Sequence, residues 1–370
     1  MEDWTYCVDT LPKVSRTFAL NISVLRGELH RSVLVAYLFC RTIDTVEDAS
    51  LLDPQIKIRL LGEFADLLET RGPRDAGLES WVRECQVVDG SPSDLDLLNN
   101  IPRAFRVFDS LPEEHKLQIV PSVVRMAKGM AYFQQWFDFS RLTPLKNEQE
   151  LEEYCYFVAG VVGEMLCNLL LTQLPNISTE CRQTMKQTAV SFGLGLQMTN
   201  ISKDVVVDQS RGWSYVPQSF ILEKGMTLED FQSAKNIDHN LEIMEKLLLK
   251  TTGHLQDALK FTLAIPRTEI ALRLFCIWPL WMALQTVAVL HNNPALLTSD
   301  APVKISRKTV RKILRRTPLI AFSNFLLKRS FDSILGPDQF GVPPRFDLES
   351  LKQRLDKLGI DAVPQNIPSN

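Results

Sequence analysis

Apolar residues recur at spacings of three and four along most of the chain, in runs at about 13–48, 54–70, 98–110, 113–140, 147–173, 178–208, 238–262, 267–291 and 305–333. That period belongs to helices, whereas a half-buried strand alternates every second residue. Strand-like alternation is nearly absent, so the expected fold class is all-α. Breakers separate the runs: Gly72-Pro73, Gly90-Ser91-Pro92, Thr143-Pro144, Pro175-Asn176, Pro217, Pro266, Asn293-Pro294 and Pro302. Such short connections favour one compact bundle of helices. A chain of 370 residues that is 45% apolar can fill one large core, and no internal repeat or low-complexity linker marks a second domain. The text changes at Gly336, so one domain is expected over 1–335, followed by a weakly ordered tail over 336–370 around a short helix at 348–358.

A net charge of −3 gives no global attraction for nucleic acid, so any anion binding has to come from local clusters. The seven cysteines are scattered, odd in number and without a CxxC pair, which suits small buried hydrophobes in a reducing, cytoplasmic setting. The N-terminal MEDWTYCVDTLPK lacks the charged-then-apolar pattern of a signal peptide. The greasiest stretch, LFCIWPLWMALQTVAVL at 274–290, contains a proline and a glutamine and falls short of the ~20 residues needed to cross a bilayer. It is expected to be a core helix, and no transmembrane anchor is expected. The five histidines are isolated and are expected at surface or capping positions.

Charge is concentrated where burial is expected. The segment RTIDTVEDAS at 41–50 follows the apolar SVLVAYLFC, and on a helix Tyr37, Arg41, Asp44 and Asp48 share a face with Glu47 beside them. Carboxylates clustered on an apolar element repel one another and lose hydration unless cations compensate. Magnesium, which takes one or two carboxylates together with waters and substrate phosphates, suits such a patch; a solvated helix end is the alternative. A second acidic face lies about 160 residues on, where Gln197, Asn200, Asp204 and Asp208 fall at offsets of three, seven and eleven. Two such faces suggest opposed walls of one cavity that grips a diphosphate through magnesium and borders a pocket for a hydrocarbon.

With these two faces the chain resembles the squalene/phytoene synthase family over roughly 10–330. The matching segments are SRTFAL (15–20), YLFCRTIDTVED (37–48), RMAKGMAYF (125–133), YCYFVAGVVGEML (154–166), LQMTNISKDVVVD (196–208) and RGWSYVP (211–217). FCIWP (275–279) and VKISRK (303–308) look more like the squalene synthase branch than the phytoene synthase branch. The resemblance implies a single-domain all-α isoprenoid synthase bundle around a central cavity. It also implies that two farnesyl diphosphates condense head-to-head to presqualene diphosphate, which NADPH reduces. By that resemblance Asp44, Glu47 and Asp48 bind magnesium on one wall, and Asp204 and Asp208 on the other. Ser15, Arg16, Tyr37 and Arg41 would hold phosphate oxygens, Asn200 and Lys203 belong to the polar face of the second motif, and Phe18, Phe275 and Cys276 would line the hydrocarbon chamber. Ala159, Gly160 and Gly163 would serve either close helix packing or room for a prenyl chain.

Four positions depart from the family pattern, and at one of them Lys203 stands where many relatives carry arginine, keeping the charge without the two-pronged guanidinium. Val207 replaces the expected carboxylate of a D-x-x-E-D motif, Phe157 stands where eukaryotic squalene synthases carry a tyrosine, and Trp213 takes the place of an arginine in the following turn. Tyr154, on the face of Phe157, is the candidate to supply the missing hydroxyl, and Arg211 the missing cation. Reductant-independent products (presqualene diphosphate itself, hydroxysqualene, dehydrosqualene or phytoene), terpene cyclisation, prenyl transfer to another acceptor and a non-catalytic assembly role remain open on these grounds. The basic run Lys304, Arg307, Lys308, Arg311, Lys312, Arg315, Arg316 contains no acid. Lys304 and Arg307 could hold NADPH phosphate without a Rossmann fingerprint, and the run as a whole could contact an anionic membrane peripherally or be simply solvated.

Overall fold

The computed structural model describes residues 1–138, 141–299, 302–335 and 342–360, and it is helical nearly throughout. In the first half run α1 (Glu2–Val14), α2 (Arg16–Ile22), α3 (Gly27–Asp48), α4 (Pro54–Glu69), α5 (Asp75–Glu84), α6 (Pro92–Asp109) and α7 (Glu113–Gln134). Then come α8 (Glu148–Cys155), α9 (Val161–Thr172), α10 (Thr179–Ser210), α11 (Gln218–Leu222), α12 (Leu228–Gln232), α13 (Ile237–Ala264) and α14 (Ile270–Leu290). The chain continues through α15 (Ala295–Thr298), α16 (Arg307–Arg316), α17 (Asn324–Leu335) and α18 (Leu348–Lys357).

Local chemistry explains where these helices start. The run expected at 13–48 is divided because Ser15 is extended (φ −158°) and its hydroxyl accepts from the Phe18 amide at 3.2 Å, capping α2. The loop read at Gly90-Ser91-Pro92 also opens a helix: Ser91 caps α6 and Pro92 occupies its first turn, so α6 begins before the expected residue 98. Between α8 and α9, Tyr156–Gly160 form a π-helical turn, so the chain from 148 to 172 is one rod with an inserted residue.

The long α10 packs along α13, α9 and α14, while α7 packs on α4, α9 and α3. The α9–α10 crossing is made by missing side chains. A Cβ on Gly193 would sit 2.2 Å from the Ala159 carbonyl oxygen, and one on Gly163 would sit 2.2 Å from that of Ala189. The small residues therefore serve packing, and Ala159 and Gly163 also line the central cavity, so they provide room as well. A two-residue parallel pairing, Thr143–Pro144 with Trp213–Ser214, clips the loop after α7 to the loop after α10.

Among the described residues two apolar helices are long enough to span a bilayer, 148–172 and 270–290, and both are mostly buried within the protein. The second starts at Ile270 and is longer than the sequence window indicated. All seven cysteines are free and six of them are buried. The expectation for histidine fails at two positions, because His115 and His254 are buried and hydrogen-bonded. The Ser191 hydroxyl donates to Asp257, so Nδ1–H of His254 donates to Ser191, and burial pushes this imidazole down to about 3, leaving it neutral. Within the expected tail, α18 docks through buried Leu351 and Leu355, and Arg354 pairs with Glu152 and Glu153 of α8. Residues 336–341 and 361–370 of that segment lie outside the described residues.

Because Gly193 meets backbone rather than a movable side-chain tip, Gly193→Ala should destabilise the fold by roughly 1–3 kcal/mol through forced separation of α9 and α10. Urea denaturation should show a lower midpoint at unchanged slope; an unchanged midpoint would contradict the close crossing.

Candidate active site

A cavity of about 390 Å³ runs between α2, α3, α9, α10 and α14. Its lining is apolar over most of its depth, with Phe18, Phe275, Cys276, Met126, Val158, Leu166 and Phe192 among the contributors. At one side it turns polar through Ser15, Tyr37, Arg41, Asp44, Gln197 and Asn200. The Phe18 and Tyr37 rings meet there at 5.1 Å. Burial pushes the Tyr37 hydroxyl up to about 12 and the Cys40 and Cys276 thiols well above their ordinary range. The two thiols in the chamber wall are therefore protonated and poor nucleophiles.

A smaller cleft next to the chamber brings the two acidic helices together. Glu47, Asp48 and Lys57 form one side, and Asp208, Arg211, Trp213 and Tyr215 the other. Arg211 Nη1 lies 3.8 Å from the Asp48 carboxylate and bridges the walls. Lys203 pairs with its neighbour Asp204. Desolvation, then the charge of Asp48, pushes Asp44 up to about 7 against the pull of Arg41. Desolvation followed by Asp204 does the same to Asp208, also to about 7. Glu47 is pushed up to about 8 by burial and by Asp48, although Gln134 donates to it at 3.1 Å. The half-exposed Asp48 is raised too, by the desolvating walls of the cleft, with Arg211 opposing.

Among the described residues, no three acidic side chains converge as a ready-made metal cage. The carboxylates instead line two walls in a protonation balance that a cation would tip towards the charged form. That donor set fits magnesium, which is held by one or two carboxylates with its other positions left to water and phosphate. The geometry can thus receive an anion bridged by cations at one end and an apolar chain at the other.

The structure joins Ser15, Phe18, Tyr37, Arg41, Asp44, Asn200, Phe275 and Cys276 around the chamber, and Glu47, Asp48, Asp208 and Arg211 around the cleft. Arg16 is exposed at the start of α2 and does not line the chamber. Lys304 and Arg307 are exposed at or just before the start of α16, and line neither cavity. Tyr154 lies behind the cleft: it is buried, donates to the Tyr215 hydroxyl at 3.0 Å and stacks on that ring at 4.6 Å. Phe157 packs across Gly129 away from the chamber lining.

Four participants were not singled out from the sequence. Asp94 accepts Nε and Nη2 of Arg41 at 2.8 and 2.9 Å. Burial alone would raise Asp94, but Arg41 and Ser91 hold it below the usual carboxylate range. Lys57 donates to the Glu47 carbonyl at 2.7 Å, while Gln134 and Tyr215 reach Glu47 and Tyr154. Lys57 left a signal, since it sits on the buried face of α4 with Leu60, Leu61, Phe64 and Leu68. Asp94 left none, because α6 reaches α3 only in the folded chain.

The squalene/phytoene synthase family model matches residues 11–309. The chain belongs to the squalene/phytoene synthase family. It is 29% identical to a squalene synthase of Eremothecium gossypii over 80% of this chain and 64% of that protein. It is 26% identical to a squalene synthase of Saccharomyces cerevisiae over 99% and 79%. The solved complex of TcSQS with the ligand BPH1237 shares the fold at a TM-score of 0.77, with 22% identity over 97% of this chain and 98% of that one. The chain thus spans somewhat under two thirds of the first relative's length.

The structure shows how the second acidic segment and the turn after it are held. Val207 is partly buried on α10, whereas Asp204 and Asp208 keep the helical face. Trp213 is buried; it stacks parallel to Tyr215 at 5.7 Å and meets Phe137 at 5.2 Å. Gly212 precedes it at φ +91°, with the Phe137 ring about 3.0 Å from where a Cβ would stand, so this turn requires glycine. Arg211 is thereby delivered to the cleft.

Carboxyls that titrate near 7 when folded and near 4 when unfolded hold extra protons in the folded state between those values. Their contribution to stability is therefore lost as pH rises through that window. In metal-free protein Asp208→Asn should gain on the wild type by roughly 1–2 kcal/mol between pH 5 and pH 8. Thermal or urea unfolding at the two pH values measures this, and parallel profiles for the two proteins would refute it.

Proposed function

We propose that the chain condenses two farnesyl diphosphates to presqualene diphosphate, releasing diphosphate and a proton. It then reduces presqualene diphosphate with NADPH to squalene, NADP⁺ and a second diphosphate. The observation that carries this reading is the junction of an apolar chamber with a cleft walled by carboxylates from two helices. The squalene synthases among the relatives support the same choice within the family.

Asp44, Glu47 and Asp48 on α3 and Asp204 and Asp208 on α10 would hold magnesium, which when bound neutralises the charge of a leaving diphosphate. Ser15, Tyr37, Arg41, Asn200, Lys203 and Arg211 would orient phosphate oxygens; Arg16, exposed beside Ser15, would have to turn inward to join them. Asp94 fixes the plane of the Arg41 guanidinium through its two-pronged hydrogen bond, so the remaining donors present a set direction. Arg211 balances Asp48 and Asp208 before substrate arrives. Phe18, Phe275 and the neutral thiol of Cys276 form a wall that excludes water and offers no nucleophile to an allylic cation. Tyr154 and Tyr215, stacked on one another within reach of the Glu47 charge, would set the proton balance behind the diphosphate.

Lys304 and Arg307 would hold NADPH phosphate. Both are exposed cations, and α16 lies against α14, whose other side lines the chamber. Squalene and its precursors partition into lipid, and the acid-free basic run supports peripheral contact with a membrane.

Purified protein incubated with farnesyl diphosphate and Mg²⁺ should give squalene only when NADPH is added, and presqualene diphosphate without it. A C30 product indifferent to NADPH would place the chain with reductant-independent members, and absence of any C30 product would refute the condensation. Tyr154→Phe should lower presqualene diphosphate formation by roughly 10-fold or more, and undiminished formation would remove Tyr154 from the mechanism. Lys304→Ala with Arg307→Ala should raise the KM for NADPH and leave the first half-reaction intact.

A further inference from the structure

Residues 302–331 contain nine lysines and arginines and no acid. Seven lie at 304–316, and Lys328 and Arg329 follow on α17; all nine are exposed, and among the described residues none is recorded in an ion pair. Between the two basic groups stand Leu319, Phe322 and Phe325, with relative exposures of 70%, 56% and 69%. These three fall within seven positions, and no other stretch of seven described residues carries three large exposed apolar side chains.

This segment is anchored to the body of the protein. Ile313 is buried, Trp278 Nε1 donates to Thr317 at 3.0 Å, Arg273 donates to Asn324 at 2.6 Å and Trp281 donates to Ser330 at 3.1 Å. The apolar tip is thus held outward by a fixed scaffold. Anchoring also explains why the cations face away: the apolar side of α16 is occupied by α14, leaving Arg307, Lys308, Arg311, Lys312, Arg315 and Arg316 on the outer side.

We propose that this surface is a membrane-docking wedge, in which Leu319, Phe322 and Phe325 enter the headgroup–acyl boundary of an anionic bilayer and the flanking cations contact its phosphates. Aromatic and aliphatic side chains ringed by cations match a surface that is negative outside and apolar beneath. A soluble polyanion would satisfy the cations and leave the three apolar groups in water. The docked face lies on the outer side of α14, while Phe275, Cys276 and Pro279 on the inner side line the chamber. One helix layer therefore separates the docked face from the cavity. The wedge deepens the peripheral membrane contact of the proposed function and rests on that part of it, while lipid binding, measured without substrate, separates its failure from that of the catalytic reading.

The test is sedimentation of the full chain with phosphatidylcholine vesicles, with and without 30% phosphatidylserine. The wild type should bind the anionic vesicles at least roughly 10-fold more tightly than the neutral ones, and weaken with salt. Leu319→Ser/Phe322→Ser/Phe325→Ser should lose roughly 10-fold or more of that binding and keep its turnover of dispersed farnesyl diphosphate. A second variant, Arg315→Glu/Arg316→Glu, should lose binding on its own, which keeps the test decisive if the triple variant fails to fold. Failure of the wild type to bind anionic vesicles overturns the proposal, as does full binding by the triple serine variant. Sedimentation velocity without lipid supplies a further check: a dimer broken by the serine substitutions would assign the patch to a second copy of this chain and overturn the wedge.

Discussion

Carboxylates on α3 and α10 face one another across a cleft, where Asp48 raises the cost of ionising Asp44 and Asp204 and Asp48 raise that of Asp208. Like charges in a poorly hydrated space push their pKa values up, and the folded chain answers with cations at defined places. Arg211 spans the walls, Lys57 lies beneath Glu47, and Lys203 sits beside Asp204. The compensation is incomplete, as carboxyl groups that titrate near neutrality show. A site left under-neutralised in this way is primed for a divalent cation and the anion that comes with it, so stability is surrendered where binding is needed.

The chamber depends on a different constraint, the backbone approach of α9 to α10. Glycines at 163 and 193 let carbonyls of the opposing helix occupy the space where Cβ atoms would stand. The π-helical turn just before α9 alters the helical phase there, and Val158, Ala159, Val162 and Gly163 all line the cavity. A polar cleft and an apolar chamber can thus share α3 and α10. The acids occupy the C-terminal ends of those two helices, and the chamber lining, such as Val33 and Tyr37 on α3 and Ala189 and Phe192 on α10, extends towards their N-termini.

Much of this was legible from residue spacing. Helical period alone specified an all-α chain, and the offsets of Tyr37, Arg41, Asp44 and Asp48 and of Gln197, Asn200, Asp204 and Asp208 placed each acidic set on one face. Motif resemblance supplied Ser15, Phe18, Phe275 and Cys276, which the fold gathers around one cavity. Asp94 was invisible because its role comes from a partner 53 positions away, and nothing in the GSPSD context distinguishes a site residue from a capping one. His115 and His254 were misjudged for a related reason. An isolated histidine carries no local sign of burial, and Ser32 and Thr172 become partners of His115, and Ser191 of His254, only through packing.

The sequence by itself determined that the chain is helical through most of its length, which faces of the long runs are acidic or apolar, and where the basic run lies, because those properties repeat within a few turns of one chain; α1 and α5 fell outside the runs it marked. Tertiary structure decided which faces meet. It paired Asp94 with Arg41, set Tyr154 behind the cleft against Tyr215, and spent the apolar side of α16 on α14 while leaving Leu319, Phe322 and Phe325 in the open. The division has one physical cause. Helical period is set by hydrogen bonds four residues long, whereas the meeting of faces depends on shape complementarity between elements tens to hundreds of residues apart.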